Sequence, residues 1–560
     1  MPRRHLSVRT AGTARIDSEL AELRARLELP ESWSPEVLAE VEEVARSPRL
    51  PSYDATDLPL FTLDPPESMD LDQAMHLERR GSGYRVYYAI ADVGAFVRPG
   101  GAIDAEARRR VETLYFPDLR VPLHPPQLSE GAASLLPDQD APALLWQLDL
   151  DVDGELIGAD LRRALVRSRR KLDYASVQRD IDEGRADKAL ALLGIIGPLR
   201  EEREADRGGV SLPLPEQEIE PVDGGYALNY RAPRPADGWN AQISLLTGMA
   251  AAEMMLDAGV GLLRTLPGAP AAAYARLRRT ATALGVDWPA DLPYPKLIRS
   301  LNPARPAHAA FLNECTGLLR GAAYTAFDDA SPGLGAGVDP AAGTAVPGRA
   351  SGTGPTSGSV PASAPGSASA PAPASGSATV PVPASAPAFA FAPAPGTGTD
   401  PAPAAADAAR RAALGHAAVA APYAHCTAPL RRLADRFAGE VCAAVASGDP
   451  VPDWVREALP EIPKLMETGD RRAHEVERVC VDLVEAELLH GREGEVFDGV
   501  VVDVDERKPQ SGTVQLHAPA VRARLTDDRP DAAPLPLGTR LRVRLTTADP
   551  VKPTVRFAPA

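Results

Sequence analysis

A long stretch of low-complexity sequence most restricts how this chain can fold. Residues 331–406 are almost entirely Gly, Ala, Pro, Ser and Thr, as in SGTGPTSGSVPASAPGSASAPAPASG. Such a composition buries too little apolar surface to offset the conformational entropy lost on folding. We therefore predict a disordered insertion over 331–406, with the packed protein on either side. Because the entropy of closing a loop grows slowly with its length, both flanks can belong to one domain.

The flanking sequences carry three kinds of hydrophobic pattern. Residues 1–52 contain SPEVLAEVEEVARS, with apolar residues at helical spacing, and predict a short helical N-terminal lead-in. Residues 53–490 mix strand-like pieces such as YRVYYAIADVGAFV with helical stretches, and predict an α/β mixed (α+β) body. Residues 491–560 alternate apolar and polar residues between turns, which predicts an all-β, OB-like barrel, with a β-sandwich nearly as compatible.

Composition argues against several classes of protein. The formal net charge of -16 argues mildly against a general nucleic-acid binder, although basic runs such as LRRALVRSRRK could form a local patch. The sequence has no run of about 18 apolar residues, so we predict no membrane association. Its 4 cysteines are scattered, which fits neither a disulfide framework nor a zinc site. The amino terminus lacks the apolar core of a secretory signal, and we expect a cytoplasmic protein.

The stretch LDPPESMDLDQA carries the strongest signal of chemistry. Asp70 and Asp72 alternate with apolar residues, so in an extended segment their carboxylates point to the same side. Like charges there repel unless a cation lies between them, and carboxylate oxygens suit Mg²⁺ or Mn²⁺. Such a cation, together with substrate phosphates, would indicate phosphodiester chemistry. An acidic loop that caps turns explains the same residues at least as well.

Four motifs follow one another in a fixed order. They are Asp64-Pro65…Asp70-x-Asp72, Ile90-Ala91-Asp92-Val93, Tyr115-Phe116-Pro117-Asp118 and Tyr423…Thr427-Ala428-Pro429-Leu430-Arg431-Arg432. In this order they resemble the catalytic domain of the ribonuclease II and ribonuclease R family, the RNB family. The resemblance covers roughly residues 58–489 outside the insertion. It implies an RNB catalytic domain at 53–490 and a 3′→5′ exoribonuclease that hydrolyses single-stranded RNA to nucleoside 5′-monophosphates with Mg²⁺, or Mn²⁺, as cofactor.

The resemblance implies a metal site on the acidic stretch. Asp64, Asp70 and Asp72 match metal-site acids of the family, and Asp72 would also be catalytic. Gln73 departs from the family pattern, which has a second Asp after the residue that Asp72 matches. The amide offers a carbonyl oxygen but no charge, so the departure bears on metal affinity and on the number of ions.

The resemblance also implies an RNA-binding set. Arg431 matches the catalytic arginine, whose permanent charge suits a phosphate, and Arg432 would support it. Tyr115 and Tyr174 would stack on bases near the 3′ end, and Glu477 resembles an acid that contacts the terminal ribose. Ordinary packing or surface roles are the alternative for each. The glycines are isolated and form no phosphate loop, so no nucleotide cofactor is expected; the histidines lack metal-ligand spacing.

The sequence is also compatible with other functions. Family members usually carry cold-shock barrels before the catalytic domain, whereas the lead-in here is short and helical, so we expect a weaker, more salt-sensitive grip on RNA. Gln73 and the acidic net charge are compatible with a catalytically impaired RNA-binding paralogue. A nuclease that prefers DNA or short oligonucleotides is the other alternative.

Overall fold

The computed structural model describes most of the chain outside the low-complexity stretch. The described residues are 10–30, 32–214, 216–222, 225–231, 234–303, 305–330, 389–390, 408–505, 507–516 and 519–560. The insertion predicted at 331–406 lies outside them except for residues 389–390, and its disorder stays a prediction. Across the described residues the chain mixes helices and strands, which confirms the predicted mixed fold.

Helices form the N-terminal lead-in, as the sequence predicts. They are Thr10–Arg26 (α1) and Pro35–Arg46 (α2). Helix α2 begins where expected, because the Ser34 side chain accepts a hydrogen bond from the Val37 N–H and proline occupies the first turn. Helix α1 packs on the last long helix and belongs to the same apolar core as the C-terminal barrel; Ile16 and Leu20 are fully buried in it.

A six-stranded sheet forms the centre of the body. Its strands, in order across the sheet, are Leu60–Leu63 (β1), Gln73–Arg80 (β2), Gly83–Ala91 (β3), Asp140–Leu150 (β6), Leu156–Leu172 (β7) and Phe389–Ala390 (β12). Side chains of β3 alternate between two cores: Tyr88 and Ile90 enter one, and Ala89 enters the other. This alternation follows from the two-residue period of a strand with both faces covered. Strand β1 also pairs in parallel with β7, which brings Leu63 beside Leu172.

Helices and short strand pairs surround the sheet. The helices are Ala102–Arg110 (α3), Tyr174–Asp182 (α4), Lys188–Asp206 (α5), Pro235–Ala258 (α6), Ala271–Leu284 (α7), Tyr294–Ser300 (α8), Pro306–Cys315 (α9), Leu433–Ser447 (α10), Asp453–Ala458 (α11) and Ile462–Leu489 (α12). The strand pairs are Leu114–Tyr115 (β4) with Arg120–Val121 (β5), Glu216–Val222 (β8) with Gly225–Arg231 (β9), Val260–Thr265 (β10) with Ala323–Asp328 (β11), and Gly415–His416 (β13) with Ala421–Pro422 (β14). Within the described ranges, no helix has both the length and the apolar character needed to cross a membrane.

The C-terminal strands close into a barrel. They are Val496–Val504 (β15), Ser511–Leu516 (β16), Arg522–Thr526 (β17), Arg540–Asp549 (β18) and Thr554–Pro559 (β19), in the order β15-β16-β17-β19-β18. The pairing of β15 with β18 closes the ring, so the OB-like barrel is confirmed and the sandwich alternative is wrong. The limits 1–52, 53–490 and 491–560 stay predictions, because one apolar core joins α1, α12 and the barrel.

Candidate active site

The connection between β1 and β2 carries the predicted acids. Asp64 follows β1, and its backbone N–H donates to the Leu172 carbonyl at 3.1 Å, which fixes the end of β1 against the end of β7. Asp72 immediately precedes β2. Between them the chain turns instead of running as one extended strand. The Leu71 N–H donates to Ser134 Oγ at 2.9 Å and so anchors the segment just before Asp72.

Asp72 and Arg431 meet although they lie far apart in the sequence. Asp72 Oδ1 accepts a hydrogen bond from the Leu430 N–H at 2.8 Å, and Asp72 Oδ2 lies 3.7 Å from Arg431 Nε. The side chain of Asp72 is 7% exposed and that of Arg431 is 20% exposed. Burial raises the pKa of Asp72 well above its usual range, while the Arg431 charge and the Leu430 hydrogen bond oppose that shift. The pair joins a buried acid to a guanidinium that still reaches solvent.

Asp64 and Asp70 complete the acidic region. Within the described part of the chain, the Asp64 carboxylate makes no hydrogen bond. Burial, followed by the charge of Asp70, raises the pKa of Asp64 to about 7, against the opposing charges of Lys171 and Arg431. Asp70 also raises the pKa of Asp72, so its charge acts on both of the other carboxylates. The Oδ1 atom of Asp70 accepts a hydrogen bond from Arg120 Nη1 at 2.9 Å.

The donors of this region fit a divalent cation in part. Among the residues that the structure describes, no three His, Cys, Asp or Glu side chains are grouped so as to hold a metal ion. Asp72 is occupied by Leu430 and Arg431. However, Mg²⁺ is often held by only one or two carboxylates, with waters and substrate phosphates as the other ligands. The half-buried Asp64 carboxylate, which has no hydrogen bond to a described residue and feels the charge of Asp70, suits such a cation.

Gln73 is fastened at both ends of its amide. Its Nε2 donates to the Thr427 carbonyl at 2.5 Å, and its Oε1 accepts from the Tyr88 hydroxyl at 2.6 Å. A carboxylate could accept from Tyr88 but could not donate to the Thr427 carbonyl. Gln73 therefore links strands β2 and β3 to the segment before Arg431. Its carbonyl oxygen already accepts the hydrogen bond from Tyr88.

Arg432 faces the protein interior. Its Nε and Nη2 donate to the two carboxylate oxygens of Asp435 at 3.0 and 2.9 Å, and the Ala428 N–H donates to the same carboxylate at 2.7 Å. Burial alone would lower the pKa of Arg432, but the charge of Asp435 raises it above its usual value. The Arg432 guanidinium is thus committed to an internal ion pair, and the phosphate contact predicted for it has no support in this geometry.

The predicted base-stacking tyrosines both lie near the acids. Burial, followed by the charge of Asp70, raises the pKa of Tyr115 above its usual range, and Tyr115 lies opposite Arg120, the partner of Asp70, in the β4–β5 pairing. Tyr174 begins helix α4, and its hydroxyl accepts a hydrogen bond from Asn240 Nδ2 at 3.1 Å. Both side chains are partly exposed. Their predicted contacts with bases stay predictions.

Glu477 lies on α12. It is exposed, and its charge acts on Cys480, which also senses the charges of Asp118 and Arg24. Another residue of this helix, Asp470, accepts a hydrogen bond from Arg264 Nη1 at 2.8 Å, and its charge acts on Glu112, as the charge of Arg431 does. Because Glu477 is two helical turns further on, about 10 Å along the axis, its predicted ribose contact also stays a prediction.

The structure adds residues that the sequence analysis missed. Tyr88 is fully buried and holds Gln73. Glu112 lies beside Arg431, because the Thr113 N–H donates to the Arg431 carbonyl at 3.0 Å, and its Oε1 is a buried oxygen without a hydrogen bond to any described residue. Burial, followed by the charge of Asp470, raises the pKa of Glu112 to about 7. In the sequence, the only indication of a role for Glu112 and Arg120 is that they lie within a few positions of the motif Tyr115-Phe116-Pro117-Asp118.

Two family models match the chain: RNB domain at residues 52–309, and RNase II-type exonuclease C-terminal S1 domain at residues 495–560. The chain thus contains an RNB domain followed by an RNase II-type C-terminal S1 domain. The RNB match includes Asp64, Asp70 and Asp72, but it ends before Arg431. The second match coincides with the barrel.

Individual members of the RNB family agree with this assignment. Ribonuclease R of Escherichia coli (strain K12) is 34% identical over 197 residues, which cover 33% of this chain and 24% of that protein. The apo form of Mycoplasma genitalium RNase R matches with a TM-score of 0.73 at 17% identity, over 98% of this chain and 78% of that chain. Yeast Ssd1, described as a pseudonuclease, matches with a TM-score of 0.57 at 13% identity, over 89% of this chain and 51% of that chain. At these identities the structural matches establish the fold alone.

Proposed function

We propose that this chain is a 3′→5′ exoribonuclease that hydrolyses single-stranded RNA to nucleoside 5′-monophosphates with Mg²⁺. The observation that carries the proposal is the contact between Asp72 and Arg431, 3.7 Å apart beside Asp64 and Asp70 in an RNB-domain chain. The buried Asp72 carboxylate lies next to the partly exposed Arg431 guanidinium, which can bind a phosphate through its positive charge.

Each residue of the site has a separate proposed task. Arg431 binds the scissile phosphate and stabilises the negative charge that develops on it. Asp72 holds the Arg431 guanidinium in position through their ion pair. Asp64 and Asp70 would hold the divalent cation, which when bound supplies an activated water and neutralises phosphate charge. Tyr115 and Tyr174 would stack on bases at the 3′ end, where stacking contributes about 1–3 kcal/mol per base.

The barrel supports single-stranded RNA as the substrate. Arg540, Arg542 and Arg544 alternate with more buried residues along β18, and all three are exposed. Arg524 and Arg556 are also exposed, and they are direct neighbours across the β17–β19 pairing. These arginines are exposed positive charges on a chain whose net charge is -16, although the exposed Asp498 lies directly opposite Arg542 in the β15–β18 pairing. Phosphate contacts of this kind weaken as salt rises, so we expect salt-sensitive binding.

The test is a time course with 5′-labelled single-stranded RNA, and with DNA of the same sequence. We expect metal-dependent shortening of the RNA from its 3′ end, no shortening with chelator, and little reaction with DNA. The Asp72→Asn protein, purified in parallel, controls for a contaminating nuclease. Shortening that persists in chelator, or equal cleavage of DNA, would refute the proposed chemistry or the proposed substrate.

A catalytically impaired RNA-binding paralogue is the second candidate. It is favoured by the occupied Gln73 amide and by the Arg120 guanidinium on Asp70. In the same time course this candidate predicts RNA binding without shortening in either Mg²⁺ or Mn²⁺. Preference for short oligonucleotides would show as faster turnover of short RNA than of long RNA. The cytoplasmic location inferred from the sequence stays a prediction.

A further inference from the structure

Arg120 bridges two carboxylates at the edge of the acidic region. Its Nη1 donates to Asp70 Oδ1 at 2.9 Å, and its Nη2 donates to Glu130 Oε1 at 2.8 Å. The three residues come from separate parts of the fold: Arg120 from β5, Asp70 from the β1–β2 connection, and Glu130 from the helical turn Leu128–Ala132. Neither family resemblance nor sequence spacing assigns a role to Arg120.

The position of Arg120 conflicts with a cation on the same carboxylate. A divalent ion bound to Asp70 would lie about 2 Å from its oxygen, so a guanidinium hydrogen-bonded to that carboxylate would be a close positive neighbour. We propose that Arg120 is a resident counter-ion of Asp70 that competes with the divalent cation and so sets the metal affinity of the site. This inference rests on the cation position in the proposed function.

Arg120 can move away from Asp70 and still keep Glu130 as a charged partner. Its side chain is 34% exposed and that of Glu130 is 28% exposed, whereas Asp70 is 11% exposed. Ion pairs with such access to water are weak, so exchange of Asp70 between Arg120 and a cation is inexpensive. Once released, Arg120 keeps its bond to Glu130. The arrangement differs from Arg432, whose single carboxylate partner is fully enclosed.

Arg120 also compensates for part of the negative charge of the three carboxylates when no metal ion is bound. After the larger effect of burial, the charge of Asp70 raises the pKa of both Asp64 and Asp72, so negative charge is concentrated here. Arg120 relieves part of this repulsion when no cation is bound. A cation that binds must therefore displace a neutralising charge that is already present, and removal of Arg120 should favour the cation.

The first test measures Mn²⁺ binding to the purified full chain by the electron paramagnetic resonance signal of free Mn²⁺. We expect Arg120→Gln to lower the Kd for Mn²⁺ by about tenfold, and Arg120→Lys, which keeps the charge, to change it less. Arg98→Gln is the matched control, because Arg98 is an exposed arginine paired with Glu43 far from the acids, and its Kd should equal that of the wild type. A Kd for Arg120→Gln within about twofold of the wild type, or higher, overturns the proposal.

Two further variants show whether the effect runs through Asp70. Adding Asp70→Asn to Arg120→Gln should abolish the gain, because the competition is for that carboxylate. Glu130→Gln removes the second partner of Arg120 and leaves it to Asp70, so the Kd for Mn²⁺ should rise; an unchanged or lower Kd contradicts the proposal. Glu130→Gln leaves Arg120 intact and so also serves if Arg120→Gln fails to fold.

The metal measurement and the nuclease assay fail independently. If Arg120→Gln tightens Mn²⁺ binding but the wild type never shortens RNA, the competition stands and the exonuclease function falls. If the wild type shortens RNA with Mg²⁺ while the Arg120 variants bind Mn²⁺ as the wild type does, the function stands and the competition falls. If neither the wild type nor any variant binds Mn²⁺, the competition is refuted together with the cation site.

Discussion

Replacement of Asp72 by asparagine should separate catalysis from stability. The two side chains have nearly the same shape, so the variant removes a negative charge and little else. The carbonyl oxygen of the introduced amide can still accept the hydrogen bond from the Leu430 N–H, which is 2.8 Å long in the wild type. What is lost is the ion pair with Arg431. The variant therefore tests whether that pair positions the arginine for catalysis.

The magnitude follows from the distance. When Asp72 is ionised, its charge and that of Arg431, 3.7 Å apart, attract by about 4 kcal/mol at an effective dielectric constant of about 20. If all of this energy serves to position Arg431 on the phosphate, its loss lowers the rate by roughly 10³-fold. Stability should respond differently: burial raises the pKa of Asp72, which means that the folded protein disfavours the charged form. The neutral amide removes that penalty, so the melting temperature should stay equal or rise.

The assay is single-turnover degradation of 5′-labelled RNA with Mg²⁺, alongside thermal unfolding and RNA binding of both proteins. We expect a large loss of rate with unchanged RNA binding and an unchanged or higher melting temperature. A rate within about tenfold of the wild type would refute the role of the ion pair. A marked fall in melting temperature would instead show that Asp72 is mainly structural.

Three other substitutions test the surroundings of the site. Arg432→Met should lower the free energy of unfolding by about 3–5 kcal/mol, because it leaves the enclosed Asp435 carboxylate unpaired. A denaturant titration measures this loss. A smaller loss of stability together with weaker RNA binding would instead support the phosphate contact predicted for Arg432. Tyr88→Phe should lower the same free energy by about 1 kcal/mol, because Gln73 loses its hydroxyl donor, and an unchanged denaturation midpoint would contradict the bond. Glu112→Gln should stabilise the protein at high pH. The pKa of Glu112 is raised from 4.5 to about 7 in the folded protein, so wild-type stability falls as pH rises through this interval, by about 3 kcal/mol in total. The variant lacks this loss. Its melting temperature should exceed that of the wild type above about pH 7 and equal it below pH 4.5. Equal melting temperatures of the two proteins at every pH would contradict the raised pKa of Glu112.

The sequence predicts the parts of this fold that depend on local pattern. Alternation in YRVYYAIA places Tyr88 and Ala89 on opposite faces of β3, and the Ser34 cap marks the start of α2. The period of two after residue 491 predicts the barrel strands, but pattern alone does not distinguish a barrel from a sandwich. Closure depends on the pairing of β15 with β18, which joins segments that are distant in the chain.

The site shows where sequence reasoning stops. Arg431 and Arg432 are identical neighbours, and only the packed structure shows that one approaches Asp72 while the other turns to Asp435. Gln73 reads as a weakened metal ligand in the sequence, yet its amide is needed as both donor and acceptor. The partner of Arg120 is likewise set by long-range packing, since Asp70 lies on a different connection. Charge type can be read from a sequence, but the partner of each charge cannot.

The most direct test of the exonuclease assignment is the identity of the first product released from 3′-labelled RNA. With Mg²⁺, we expect label to appear at the earliest times only as a nucleoside 5′-monophosphate, and we expect Arg431→Ala to release none at comparable times. Label that first appears in oligonucleotides would contradict cleavage from the 3′ end. Equal release by wild type and Arg431→Ala would contradict the site itself.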